Sequence, residues 1–545
     1  MAKPKSKTAK NKSAENKMIS LDHDFSFNLL TEPWLPVVTS KGKKQLLSLN
    51  DFIKTCHELE RFDFPLPGLE TAVIRFMVAM VHIVGAPKDK KEWEDWLKEG
   101  RFSEKFYKEM QKYKNKLDLF SKTEPFMQDK GFLAKEEKIV FDNISRLIHY
   151  FPFGTNPTHW FHKFDENLNC FVSPESLIWL LLLFNYTAYS GGRGYNPGIN
   201  GKPPNYILLN GENLFITILL NTPNIDFLSH IAHKKLIRIN EIGFPKKLGI
   251  DVEANAITLQ GGFLWQTRQF LFLPEKNENN YICNISSTNN EIIIKNFIMM
   301  PQSMSLKKGS YWADPHVVKI DKGPKGIKNL NESGNLPSWR EYPSLLITKG
   351  NSDNIRKAIY FAPLIIQQLS FSRNIVNNIR ISYFIFSTIN NAKINKILED
   401  KYYFQTSFID NESIKTIISS WIYLIEDFEK EIHKQLKKAF NIKPNSNAIA
   451  PEFQSAYWHE LGSVFEESLA ELANTNKEPG EILRDWKIML AAHVRKTFER
   501  HTEKLISNTK YLKQYQAAKK YLEFKIRNDL EPQKMKNNED GVVYA

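Results

Sequence analysis

The chain has 545 residues and a formal charge of +13, with 42% hydrophobic, 25% charged and 12% aromatic residues. Such a length buries more than one core, the composition is ordinary for a soluble globular protein, and the positive excess puts nucleic acid first among partner classes, although an ordinary basic surface would show it too. Cys56, Cys170 and Cys283 are far apart with no CxxC pair, which excludes a disulfide framework and a cysteine zinc site and fits a reducing cytoplasm.

Residues 1–20 are Lys-rich without an apolar stretch, so they read as a basic disordered tail rather than a secretory signal. From Phe25 an alternating stretch runs into Glu32-Pro-Trp-Leu-Pro36, where two prolines predict an edge strand or extended segment and not a central strand. Residues 69–84 repeat apolar positions at helical spacing and stop at Gly85-Ala-Pro87, which predicts a core helix. Helical patterns follow over 90–99 and 104–113, then a loop rich in Pro, His, Asn and aromatics over 151–173. The apolar run 177–184 falls far short of the roughly 20 residues that span a bilayer, so it predicts a buried helix. A Gly/Pro/Asn-rich loop occupies 190–205, and short β-like runs, including 292–295 and 344–348, alternate with loops up to Ile389.

Beyond Asn411 the texture changes. Ile414, Ile417, Ile418, Trp421, Ile425, Phe428, Ile432 and Leu436 recur every three or four residues, and three further helical patterns follow from near Pro451, around Trp486 and around Tyr515. The expected fold is α+β: a large mixed α/β domain over 21–409, then an antiparallel four-helix bundle over 410–545.

No phosphate-loop, HExxH or GxSxG pattern is present, so nothing points to catalysis. His159 and His162 share a helical spacing but lack a Cys or carboxylate pattern around them, and His433, His459, His493 and His501 read as surface or interface histidines. A nuclease with scattered acidic metal ligands and a purely structural scaffold stay open as alternatives. The strongest physical signal is Ser190-Gly-Gly-Arg-Gly-Tyr-Asn-Pro-Gly198, where Gly191, Gly192 and Gly194 surround Arg193. Glycines permit close backbone approach, and successive N–H groups beside a cation suit an anion. A tight connecting loop is the plainer reading, which the neighbouring Asn and aromatic residues shift toward a nucleic-acid contact. Asn390-Asn391-Ala392-Lys393 lies between two apolar runs and predicts a turn whose amides suit a DNA groove.

Together these features resemble the CasA family, the large subunit of the type I-E CRISPR Cascade surveillance complex. The likeness rests on order: FNLLTEPWLPV at 27–37, EPFMQ at 124–128, the glycine loop, GGFLWQ at 261–266, LPSW at 336–339, the Asn-Asn turn and the terminal helices. It implies a subunit without catalytic activity or cofactor that reads the protospacer-adjacent motif of double-stranded DNA and wedges the duplex open for guide RNA pairing. Gly191, Gly192, Arg193, Gly194, Lys307 and Lys308 correspond to motif readers, and Asn390, Asn391, Ala392 and Lys393 to the wedge. Asn156, Trp160 and Phe161 correspond to the loop that docks on the guide's 5′ handle and a backbone subunit. Implied partners are the target duplex, the CRISPR guide RNA, the backbone and small subunits and a helicase–nuclease; Lys434, Lys437, Lys438, Arg495, Lys496, Lys519 and Lys520 would hold the displaced strand or simply face solvent. Some members carry a paired-cysteine zinc site that the stretch around Cys283 lacks, so no metal is expected. The wedge tip has Asn, Ala and Lys where the family usually has glutamine.

Overall fold

The structure is a computed structural model that describes residues 24–130, 141–148, 170–187, 198–231, 250–254, 257–266, 268–301, 304–307, 312–321, 323, 327–330, 337–346, 352–353, 358–372, 379–389, 393–443, 450–473, 477–507 and 509–531. It joins a mixed helix–sheet body to a C-terminal helical bundle, as the patterns predict.

Two apolar helices, α1 (Leu69–Val84) and α2 (Pro174–Thr187), form the centre of the body and are buried along most of their length. Gly68 and Gly85, both at positive φ, bracket α1 and end it sharply. Trp34 joins the centre together. Its indole N–H donates to the Leu29 carbonyl (2.8 Å), its own carbonyl accepts from Trp179 Nε1 (2.8 Å), and its ring meets Phe76 edge-on. Helices Lys90–Glu99 and Glu104–Gln111 start where predicted, capped by the side chains of Asp89 and Ser103.

The strand after Trp34 corrects the sequence reading. β1 (Leu35–Thr39) lies between β2 (Lys44–Leu47) and β3 (Leu59–Phe62), so it is central rather than an edge. Pro36 is tolerated because pairing with β3 begins at Val37, and Pro36 meets that side only through its carbonyl, which accepts from the Asp63 N–H (2.9 Å). The stretch 344–348 is also corrected. Tyr342–Leu345 is a short helix with Pro343 in its first turn, where a missing N–H costs nothing, and residues 347–348 lie outside the described residues.

Strand β4 (Tyr206–Asn210) follows the glycine loop. β5 (Arg268–Lys276) and β6 (Ile292–Pro301) form one antiparallel hairpin, and β7 (Ile379–Ile389) and β8 (Lys393–Phe404) form another whose first strand pairs with β4, in the order β8-β7-β4.

In the bundle, α3 (Glu412–Ala439) starts at an Asn411 cap and is followed by α4 (Ala450–Glu460), α5 (Gly462–Ala473), α6 (Pro479–Ile506) and α7 (Thr509–Asp529). The second predicted helix is thus two, broken at Leu461. Contacts run antiparallel: Gln454 and Trp458 of α4 donate to Glu429 of α3, and Arg495 and Lys519 pair α6 with α7. Trp421 and Trp486 stack at 5.5 Å in the bundle core. Among the described residues no helix is long and apolar enough to cross a membrane.

Candidate nucleic-acid interface

The β8-β7-β4 sheet relates the two segments singled out in the sequence. β4 runs antiparallel to β7, with Arg380 opposite Asn210 and Phe384 opposite Tyr206. Past Phe384, β7 continues to Ile389, and β8 pairs with it from Lys393, so the hairpin projects five residues beyond the end of β4. At about 3.3 Å per residue that is on the order of 16 Å. It projects past Tyr206, the end at which the chain coming from the glycine loop enters β4. The tip itself, Asn390, Asn391 and Ala392, lies outside the described residues; Lys393 is the first paired residue of β8.

The glycine-loop residues Gly191, Gly192, Arg193 and Gly194 also lie outside the described residues, but both ends of that loop are placed. α2 delivers Tyr186 and Thr187, and the chain resumes at Gly198 with a turn in which the Gly201 N–H donates to the Gly198 carbonyl (2.8 Å). Gly201 adopts φ +69°, left-handed backbone that suits glycine.

Beneath these ends sits a fully buried ion pair that pattern reading missed. Arg75 of α1 donates twice to Asp314, Nη1 to Oδ1 (3.0 Å) and Nη2 to Oδ2 (2.7 Å), and both side chains are 0% exposed. The guanidinium also lies 4.5–4.6 Å from the ring centroids of Tyr186, Tyr206 and Phe263. His316 Nδ1 meets Arg75 Nη1 at 3.1 Å while its Nε2 faces the Asn221 carbonyl at 3.0 Å. Burial and then the Arg75 charge pull His316 down to about 3, so it is neutral. Burial alone would raise Asp314, but Arg75 outweighs it and holds the carboxyl below its ordinary value. The clue in the sequence was one Arg in a helix of apolar residues.

The family model for CRISPR-associated protein Cse1 matches residues 28–497. The chain belongs to the Cse1 family. No curated protein matches it. Among solved structures, Cse1 from Acidimicrobium ferrooxidans superposes with a TM-score of 0.69 at 17% identity, over 94% of this chain and 100% of that one. Thermobifida fusca Cse1 gives 0.69 at 17% identity over 93% and 98%. A chain of a CRISPR RNA-guided surveillance complex gives 0.69 at 16% identity over 91% and 99%. At such identities these likenesses show a shared fold.

Of the other predicted residues in this Cse1-family chain, Lys307 is exposed and pairs through Nζ with Glu253 Oε1 (2.6 Å), while its N–H donates to the Val252 carbonyl. Lys308, Asn156, Trp160, Phe161, His159 and His162 lie outside the described residues. The bundle cations divide. Arg495 is tied to Glu523 and Glu531, Lys519 to Glu499, and Lys434 sits 3.8 Å from Glu431, whereas Lys438, Lys496 and Lys520 are exposed. His493 faces the Tyr457 carbonyl and His501 the Thr497 carbonyl; His459 is exposed.

The zinc site of some family members finds no fit. Cys283 Sγ accepts N–H groups of Ser173, Ile285 and Ser286, the neighbouring Ser173 and Ser286 hydroxyls lie 3.3 Å apart, and a thiol so engaged beside serine hydroxyls is not a zinc donor set. Among the described residues no group of three or more His, Cys, Asp or Glu is arranged to hold a metal ion.

Proposed function

We propose that this protein is the large subunit of a CRISPR RNA-guided surveillance complex, that it reads the protospacer-adjacent motif in double-stranded DNA through the 190–198 loop, and that the β7–β8 hairpin wedges the duplex open to start R-loop formation. The observation that carries the reading is that the β7–β8 hairpin projects past Tyr206, the end of the β8-β7-β4 sheet at which the chain coming from the loop enters β4. A reader and a wedge that act on adjacent base pairs need that arrangement. Family membership and the Cse1-like fold within a surveillance-complex structure support the same assignment.

The physics is simple. Opening a base step costs a few kcal/mol, which backbone contacts and an inserted tip must offset. Gly191, Gly192 and Gly194 let the backbone approach the minor groove, Arg193 adds charge, and Asn390, Asn391, Ala392 and Lys393 form the tip. Minor-groove readout is degenerate, so several motif variants are accepted. Lys307 exchanges Glu253 for a phosphate at little cost, because an exposed pair is worth only about 0–1 kcal/mol, and Lys308 follows it. Asn156, Trp160 and Phe161 dock on the guide RNA handle and a backbone subunit. The body over 21–409 recognises the duplex, and the bundle over 410–545 meets the small subunits. The protein does no chemistry of its own and helps recruit a helicase–nuclease, in the cytoplasm; cutting falls to that partner or to a nuclease fused to another subunit.

The test uses the assembled complex with guide RNA. Gly192→Phe, or Asn391→Ala with Lys393→Ala, should lower affinity for the closed duplex at least tenfold, about 1.4 kcal/mol, and leave a pre-melted target nearly unaffected. Equal loss on both targets removes the wedge assignment. Cleavage by the purified subunit with Mg²⁺ or Mn²⁺ would make it a nuclease instead.

A further inference from the structure

The Asp314 carboxylate accepts four hydrogen bonds, three from Arg75 and His316 in the core and one from Asn200, just after the glycine loop. Oδ1 takes Arg75 Nη1 and the His316 N–H (3.0 Å), and Oδ2 takes Arg75 Nη2 and Asn200 Nδ2 (2.6 Å). Asn200 stands just after the loop. Its Nδ2 also lies 3.3 Å from the Tyr206 hydroxyl, and that hydroxyl reaches the carbonyl of Tyr186, just before the loop, at 3.5 Å. One phenol oxygen thus spans the two ends. Tyr186 is fixed in turn, its hydroxyl donating to the Phe263 carbonyl (2.7 Å) and its ring lying against Arg75. The Ile207 N–H donates to the His316 carbonyl (2.8 Å), so the first residues of β4 are stitched to the segment that carries Asp314.

A buried ion pair gives stability that apolar residues of equal volume would match or exceed. What it supplies instead is direction: charge-assisted hydrogen bonds fix where their partners stand, and sites 1 Å too loose lose function. Burial pushes the Tyr206 hydroxyl up to about 12, with Arg75 opposing, so it remains protonated at any working pH.

We infer that Asn200, Tyr206 and the Arg75–Asp314 pair are positioning residues that hold the two ends of the 188–197 loop in register and so set how well the complex distinguishes a motif-bearing closed duplex from an opened target. The inference rests on the proposed reading that this loop contacts the duplex.

The experiment compares Asn200→Ala, Tyr206→Phe and Arg193→Ala in the assembled complex. The quantity read is the ratio of affinities for the motif-bearing duplex and for the same target pre-melted, with melting temperature and complex assembly measured alongside. Asn200→Ala should lower the ratio about tenfold, the equivalent of one charge-assisted hydrogen bond. Tyr206→Phe keeps the ring and should lower it about threefold, half that effect on the logarithmic scale. It also serves where the first variant folds poorly. A merely structural role would weaken both targets alike and leave the ratio fixed, which overturns the inference. If Arg193→Ala lowers the ratio while neither Asn200→Ala nor Tyr206→Phe does, the inference fails and the loop reading stands. If Arg193→Ala leaves the ratio unchanged, the loop reading fails and takes the inference with it.

Discussion

Gly262 stands where helix Leu259–Phe263 passes under Trp312, and a Cβ there would lie 1.9 Å from Trp312 Cζ2. Something must shift if it is added. Gly262→Ala should destabilise the protein by about 1–3 kcal/mol, the usual cost of overpacking, read as a lower denaturation midpoint. In a Trp312→Leu background the added methyl should cost much less; full additivity would mean that the clash lies elsewhere. The GGFLWQ motif is therefore a packing motif, and the same holds for EPFMQ and FNLLTEPWLPV. Gln128 of EPFMQ donates to the Leu119 carbonyl (2.6 Å) and accepts from the Phe272 N–H (2.9 Å), and Trp34 ties α1 and α2. Their order was legible because each is a splint that a local pattern displays. Of the Arg75–Asp314 pair the sequence displays only a lone Arg in an apolar helix; its partner was not legible, because the two stand 239 positions apart and neither lies in a motif.

At the level of elements, the hairpin is not anchored by β4 alone. Tyr342 packs on Tyr402 and Phe404 of β8 and on Phe465 of α5, Trp339 inserts between Trp458 and Phe465, and the Ser338 N–H donates to Asp400. The LPSW segment thus clamps the hairpin root to the bundle, at the break between α4 and α5. Trp339→Ala should cost about 3–5 kcal/mol and lower amide-exchange protection in β8 and in α4–α5 together. Loss confined to the bundle would show that the clamp does not reach the hairpin. The helices were legible because their period survives at every position, whereas β1 was misread from one proline whose missing N–H the ladder never needed, and 344–348 from an apolar run that Pro343 turns into a helix. A second link from β8 reaches α1. Burial raises Glu70 to about 7, with Lys401 opposing and Glu399 adding to the rise. Because the folded value exceeds the ordinary one of 4.5, the fold is favoured most below 4.5 and loses stability as pH climbs through 7. Glu70→Gln should therefore stabilise the protein at pH 8, by on the order of 1–3 kcal/mol, and have no effect near pH 4. A gain of equal size at both pH values would mean that ionisation is not the cause.

For the whole molecule, the charge of +13 acts on DNA through its exposed cations, and firmly held ion pairs contribute least. Arg495 makes three hydrogen bonds to Glu523 and one to Glu531, and Lys519 is held 2.9 Å from Glu499, so these charges stitch α6 to α7. Lys438, Lys496 and Lys520 stand exposed on the same bundle. A cation that neutralises a phosphate releases a counterion and contributes about 0.9 to the slope of log affinity against log salt on duplex DNA, and about 0.7 on a single strand. If the bundle faces the displaced strand, Lys496→Ala with Lys520→Ala should reduce that slope for the assembled complex by about 1–1.5, with thermal stability unchanged. Arg495→Ala should do the reverse, leaving the slope alone and costing about 1 kcal/mol of stability, the scale of a partly exposed multidentate ion pair. The comparison is decisive because both variants remove positive charge from one bundle: a slope that responds equally to Arg495 and to the lysines would mean that net charge, and not a defined contact face, governs the interaction with DNA.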